Sequence, residues 1–135
     1  MSIKKLEDGD RIRRVVLGNE FVDTSTIEAD EFSRPFEELI TEYAWGTVWA
    51  RPGLSLKTRS LINIAMLAAL DCPRQMKLHL RGALRNGCTK EEIREVFLQS
   101  AIYCGAPAAS NSFRIAKEVF AELEREETKD KPNAL

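Results

Sequence analysis

Between the break at Pro52-Gly53 and the break at Asp71-Cys72-Pro73 runs Leu56 to Leu70, apolar around nearly its whole circumference. Leu61, Ile62, Ile64, Ala65, Met66, Ala68 and Ala69 leave little polar face to turn toward water. A helix of that kind must be enclosed by other helices, and it is expected to be the central buried one. It is too short for a membrane span, which takes roughly 20 apolar residues. Helical periodicity prevails elsewhere and no segment alternates convincingly as a strand. The fold class is therefore all-α, and 135 residues suit one compact domain.

Local signals divide the chain into about six helices. The first is expected from about Leu6 to Leu17, with Ile12, Val15 and Val16 on its inward stripe and Gly18-Asn19 as its stop. Residues 19–31 have few periodic apolar positions and read as an extended or loosely turned segment. Ser33 is the expected cap of the next helix, with Pro35 in its first turn, and that helix should run to Gly46. Ser55 should cap Leu56–Leu70, and Asp71 the helix that starts at Pro73 and closes at Gly87. Thr89 to Glu92 has the pattern of a capping box. After Gly105-Ala106-Pro107 a last helix is expected from about Ala108 toward Glu126. Residues 1–127 form the helical domain in this reading, and 128–135 a polar tail.

A formal charge of −1 lacks the basic excess of a nucleic-acid binder. The N-terminus has no apolar run of a signal peptide, so a cytoplasmic location is expected. Cys72, Cys88 and Cys104 fit neither a redox pair nor a zinc site and read as free thiols. No metal constellation or phosphate-cradling loop is apparent. Small and apolar residues on Ala65–Ala69 and Ala106–Ser110, with the Trp45–Trp49 region, exceed what one small domain covers, and predict a homo-oligomer.

The single histidine, His79, shares a helix face with Gln75, Gly82 and Ala83, small neighbours that would leave open volume above an imidazole. It is either a packed histidine or the group that titrates near neutral pH. Arg51 precedes Pro-Gly, and Arg59 falls in the first turn of a helix, where a cation opposes the macrodipole. Either Glu37, Glu38 or Glu42 pairs with them, or a bound carboxylate does. Trp45 and Trp49, four apart, are core anchors or pocket walls.

Several segments, in order and over nearly the whole chain, resemble the carboxymuconolactone decarboxylase family. They are Phe36 to Gly46, Trp49-Ala-Arg51-Pro-Gly-Leu54, Thr58-Arg59-Ser60-Leu61, His79 to Gly87, Glu91 to Val96, Ala101-Ile-Tyr103, Pro107-Ala-Ala109 and Phe113 to Glu118. The resemblance implies an alkylhydroperoxidase-like helical fold, a hexamer, and decarboxylation of 4-carboxymuconolactone to the enol-lactone of 3-oxoadipate in aromatic catabolism. The implied substrate carries a ring carboxylate and an acetate arm. Its unsaturated lactone is its own electron sink, so no cofactor or metal is implied. The protein must bind the anions, stabilise the dienolate and deliver a proton. On this reading Arg51 and Arg59 bind the carboxylates, with Arg81 a weaker candidate. Trp45, Trp49 and Gln75 line the pocket. His79 protonates the α-carbon once the substrate's charge favours imidazolium, with Glu38 in reserve.

The peroxidase branch of the same superfamily uses Cys-x-x-Cys-x-x-x-His. This chain reads Cys72-x-x-Gln75-x-x-x-His79, and has Ser60 where that branch carries a glutamate. Two alternatives stay open: Cys72 as the nucleophile of a thiol peroxidase or disulfide reductase, and a non-catalytic ligand-binding member of the fold.

Overall fold

A computed structural model describes residues 2–130, and every regular element in them is helical. In chain order these are α1 (Ile3–Leu17), α2 (Asn19–Glu28), α3 (Arg34–Leu39), a π-helical segment (Ile40–Trp49), α4 (Leu56–Leu70), α5 (Pro73–Arg85), α6 (Lys90–Cys104) and α7 (Ala106–Asp130). Helix α7 takes in residues 128–130 of the expected tail, and the rest of that tail lies outside the described residues. None of the described helices is long and apolar enough to cross a membrane. The described residues fall into two compact units: one runs to Ser60 and includes Gly82–Cys88, the other comprises Leu61–Arg81 and the chain from Thr89 onward.

In the first unit, Ser2 caps α1 through its hydroxyl, which accepts from Lys5 N at 3.3 Å, so the helix starts earlier than Leu6. Its buried side is Gly9, Arg13, Val16 and Leu17, whereas Val15 is 50% exposed. The inward stripe thus follows Gly9 and Arg13 rather than Ile12 and Val15, because a glycine gives the closest approach to the π segment. Residues 19–28 are helical, against the extended reading. Gly18, at φ 91°, turns the chain, and Arg14 reaches back across the turn to Asp23 at 2.7 Å. Val22 is the buried residue of α2, which explains why no periodicity announced it.

Ser33 holds the N-cap position of α3, as expected, but its hydroxyl makes no cap hydrogen bond to the helix. Its hydroxyl accepts from Asp30 N at 3.1 Å, and its own N–H donates to Asp30 Oδ1 at 2.9 Å. The helix does not stop at Gly46. It widens to i→i+5 bonding from Ile40 and ends at Trp49, with Ala50 N donating to Trp45 O at 3.0 Å. The start of α4 is tied to the end of α5 by Asn86, whose amide donates to Ser60 Oγ at 2.9 Å.

In the second unit, Ile64 and Ala68 of α4 are buried, as are Met76 and Leu80 of α5. Phe97 of α6, fully buried, meets Phe113 of α7 edge-on at 5.5 Å. The expectation that α4 is enclosed on all sides is corrected: Met66 is 55% and Leu70 72% exposed, on a stripe with Ile62. Asp71 does not cap α5. It takes a left-handed conformation, φ 53°, at the end of α4, and the first turn of α5 closes on Cys72, whose carbonyl accepts from Met76 N at 2.8 Å. The Thr89–Glu92 capping box forms in full. Gly105, at φ 102°, turns the chain, and Pro107 enters the first turn of α7 instead of interrupting it.

Candidate active site

Arg59 has its position from local chemistry. Ser55 Oγ accepts from Thr58 N at 3.1 Å and starts α4, which puts Arg59 in the first turn. There the guanidinium Nη2 donates to the carbonyl of Arg51 at 3.1 Å. Its Nε is buried and has no hydrogen-bond partner among the described residues. No carboxylate among the described residues pairs with Arg59 or Arg51. Of the three acids the sequence offered, Glu37 pairs with Arg13 at 3.0 Å, and Glu42 accepts from Ser2 N at 3.0 Å. Among the described residues, Arg59 in the first turn of α4 and the exposed Arg51 before it therefore have no carboxylate partner, close to a helix N-terminus that disfavours a cation. An anion with two acceptor oxygens fits that need.

Ahead of this turn, Trp45 and Trp49 stack, with ring centroids 4.8 Å apart and planes 27° from parallel. Trp45 is buried and Trp49 half-buried. Spacing by four predicted the shared face, and the two rings stack on it within the π-helical segment.

Glu38 lines a cleft of about 230 Å³ between α1, α2 and α3, together with Arg13, Arg34, Glu37 and Thr41. The sequence reading missed Arg13 altogether. It is 7% exposed, an uncommon fate for an arginine, and its ion pair with Glu37 balances its charge. The available signal was Gly9, one helical turn before it.

His79 is 8% exposed on α5. Burial disfavours the charged imidazolium and pulls its pKa down to about 4, so the resting side chain is neutral at pH 7. The open space expected beside it is not what its small neighbours provide. A methyl group added at Gly82 would meet Val16 Cγ1 at 2.9 Å, so this glycine exists for the close passage of α1, and Ala83 is fully buried. Gln75, one turn before His79, faces solvent.

Arg81 is engaged. Its Nη2 donates to Glu122 at 3.0 Å and to Glu126 at 3.1 Å, while Lys77 reaches Glu122 at 2.8 Å. None of the three cysteines forms a disulfide among the described residues; Cys72 is half-buried, and its thiol points to Leu70 O at 3.7 Å.

The model of the carboxymuconolactone decarboxylase family matches residues 34–118. The chain is 41% identical over 117 residues to nitrosuccinic acid decarboxylase npaB of Metarhizium robertsii, covering 87% of this chain and 82% of that protein. It is 39% identical over 120 residues to 4-carboxymuconolactone decarboxylase of Acinetobacter baylyi, covering 89% and 90%.

Proposed function

Since the chain belongs to the carboxymuconolactone decarboxylase family, we propose that it decarboxylates a small doubly anionic acid, with 4-carboxymuconolactone as substrate. The observation that carries this reading is the 39% identity to a 4-carboxymuconolactone decarboxylase across nine-tenths of both chains. Within the molecule, Arg51 and Arg59 support it: neither pairs with a carboxylate among the described residues, the buried Arg59 Nε has no hydrogen-bond partner there, and a dicarboxylate would supply both counter-charges.

The chemistry follows from the substrate. The bond from the ring carbon to its carboxylate breaks, and its electron pair moves through the ring double bond to the lactone carbonyl. Carbon dioxide leaves, and a dienolate remains until a proton arrives at the α-carbon. The lactone itself is the electron sink, so the reading calls for no cofactor. Arg51 and Arg59 bind the carboxylates, and Trp45 and Trp49 provide a rigid apolar wall. Arg81 is left out of binding, since two carboxylates already hold it. His79 delivers the proton. Neutral at rest, it becomes an acid when the bound substrate's negative charge raises its pKa. Glu38 is the alternative donor.

The 41% relative gives a second substrate reading. Nitrosuccinate is also a dicarboxylate, and its nitro group beside the leaving carboxylate takes the electron pair as the lactone does. One experiment separates the cases: carbon dioxide release from each compound, with the lactone's ultraviolet absorbance followed in parallel. Turnover of 4-carboxymuconolactone is expected. Turnover of nitrosuccinate alone would change the substrate and keep the reaction class, whereas release from neither would end the reading.

The protein also assembles with copies of itself in this proposal, as the exposed apolar residues Ile62, Met66, Leu70, Ile102 and Tyr103 suggest. Sedimentation at micromolar concentration should show an oligomer, and a stable monomer would remove the claim.

A further inference from the structure

The carbonyl that holds Arg59 lies just past the π-helical segment, and that segment is in backbone contact with α1. A methyl group at Gly9 would overlap the carbonyl oxygen of Thr41 and stand 2.9 Å from Gly46 N. One at Gly46 would overlap the carbonyl oxygen of Lys5 and stand 2.8 Å from its carbon. Each glycine is the recess into which the other backbone fits. Glycine inside a helix costs about 1 kcal/mol relative to alanine, so packing must offset two such positions.

The effects run along the segment toward its C-terminal end. Thr47 Oγ1 donates to Glu42 O at 3.0 Å and Ala50 N to Trp45 O at 3.0 Å, each reaching five residues back. Within this wider turn Trp49 stacks on Trp45. Next comes Arg51, whose N–H donates to Val48 O at 3.1 Å and whose carbonyl accepts from Arg59 at 3.1 Å. Stretches of π-helix are mostly single turns inside α-helices, so a segment from Ile40 to Trp49 needs outside support.

We propose that Gly9 and Gly46 are positioning residues: their backbone contact holds Ile40–Trp49 in the π register and so sets the Trp45–Trp49 stack and the carbonyl that orients Arg59. This rests on the reading of Arg59 as a carboxylate-binding group. Two stacked indoles give a bisignate circular-dichroism signal that reports the register without any substrate.

The test compares Gly9→Ala and Gly46→Ala with Gly82→Ala, a helical glycine crowded less severely, whose added methyl would meet Val16 Cγ1 at 2.9 Å, away from the π segment. All are measured below their melting temperatures. The first two should lose or invert the indole signal and raise KM for 4-carboxymuconolactone about 10- to 100-fold, the scale of a misplacement of roughly 1 Å. Gly82→Ala should keep the native signal. If the first two do not fold, Thr47→Val decides, because it removes only the bond to Glu42; it should shift signal and KM in the same direction by less. Folded variants with a native indole signal, or with an altered signal and unchanged KM, overturn the proposal. Failure of the decarboxylase reading shows separately, as absent turnover in the unaltered protein.

Discussion

Cations meet opposite fates at two places in this chain. Along α5 and α7 the charges are closed: Arg81 and Lys77 divide Glu118, Glu122 and Glu126 among them. Lys77 first, then Arg81, hold the Glu122 carboxyl below the usual carboxylate range. At the start of α4 the charges are open. Arg51 and Arg59 stand by a helix N-terminus with no acid among the described residues beside them, where a cation costs about 0.3–1 kcal/mol. Arg59 and Arg81 both lie on helices, and Arg51 in the turn before α4. On the proposed reading, what separates the structural cations from the substrate-binding ones is whether carboxylates stand opposite.

The comparison breaks most visibly at His79, which shares α5 with Arg81 but not its surroundings. His79→Gln is expected to lower turnover by about 10²–10⁴-fold with substrate affinity largely spared, the usual worth of positioned proton transfer. Single-turnover kinetics with solvent deuterium read this directly. Full activity passes the role to Glu38, tested in the same way by Glu38→Gln.

Next in size is a pH effect on stability. In the unfolded chain His79 titrates near 6.5, and in the folded chain at about 4. As pH falls the unfolded chain takes up the proton first. The neutral imidazole's contribution is thus fully present above pH 6.5, is lost between 6.5 and 4, and levels off below. The shift corresponds to about 3 kcal/mol. Urea unfolding across that range should steepen for the native protein and flatten in His79→Gln; equal slopes would show that other groups control the acid limb.

The two arginine regions are then compared head to head. Arg59→Ala should cost about 1.5–3 kcal/mol of substrate binding, read as KM, and Arg59→Lys part of that, because an ammonium has no fork. Arg81→Ala should leave KM alone and lower stability by at most about 1 kcal/mol, as a partly exposed pair does. The opposite pattern would reverse the assignment of the two regions. Smallest of all is Cys72→Ser, expected to leave decarboxylation near normal. Thiol-dependent peroxide turnover that vanishes in this variant would restore the nucleophile reading.

Short-range chemistry made much of the fold legible. The capping box at Thr89–Glu92, the cap at Ser55 and the stops at Gly18 and Gly105 each depend on residues within one turn, so the chain alone decides them. Helix α2 could not be read this way, because a single buried Val22 leaves no stripe to see. The candidate site divides along the same line. Arg59 in a first turn and two tryptophans four apart are facts of spacing, and they were visible at once.

Which arginine has an acid opposite it, how deeply His79 is buried and whether Ile40–Trp49 winds as α or π were settled only by tertiary contacts. The α and π registers of one segment share the same local preferences. On the proposal above, α1, whose backbone passes close to the segment at Gly9 and Gly46, tells them apart. The amino-acid sequence thus determined where helices begin, end and carry charge, because those forces act within a turn. Burial and charge pairing depend on which helix lies alongside, and that was decided when the helices packed.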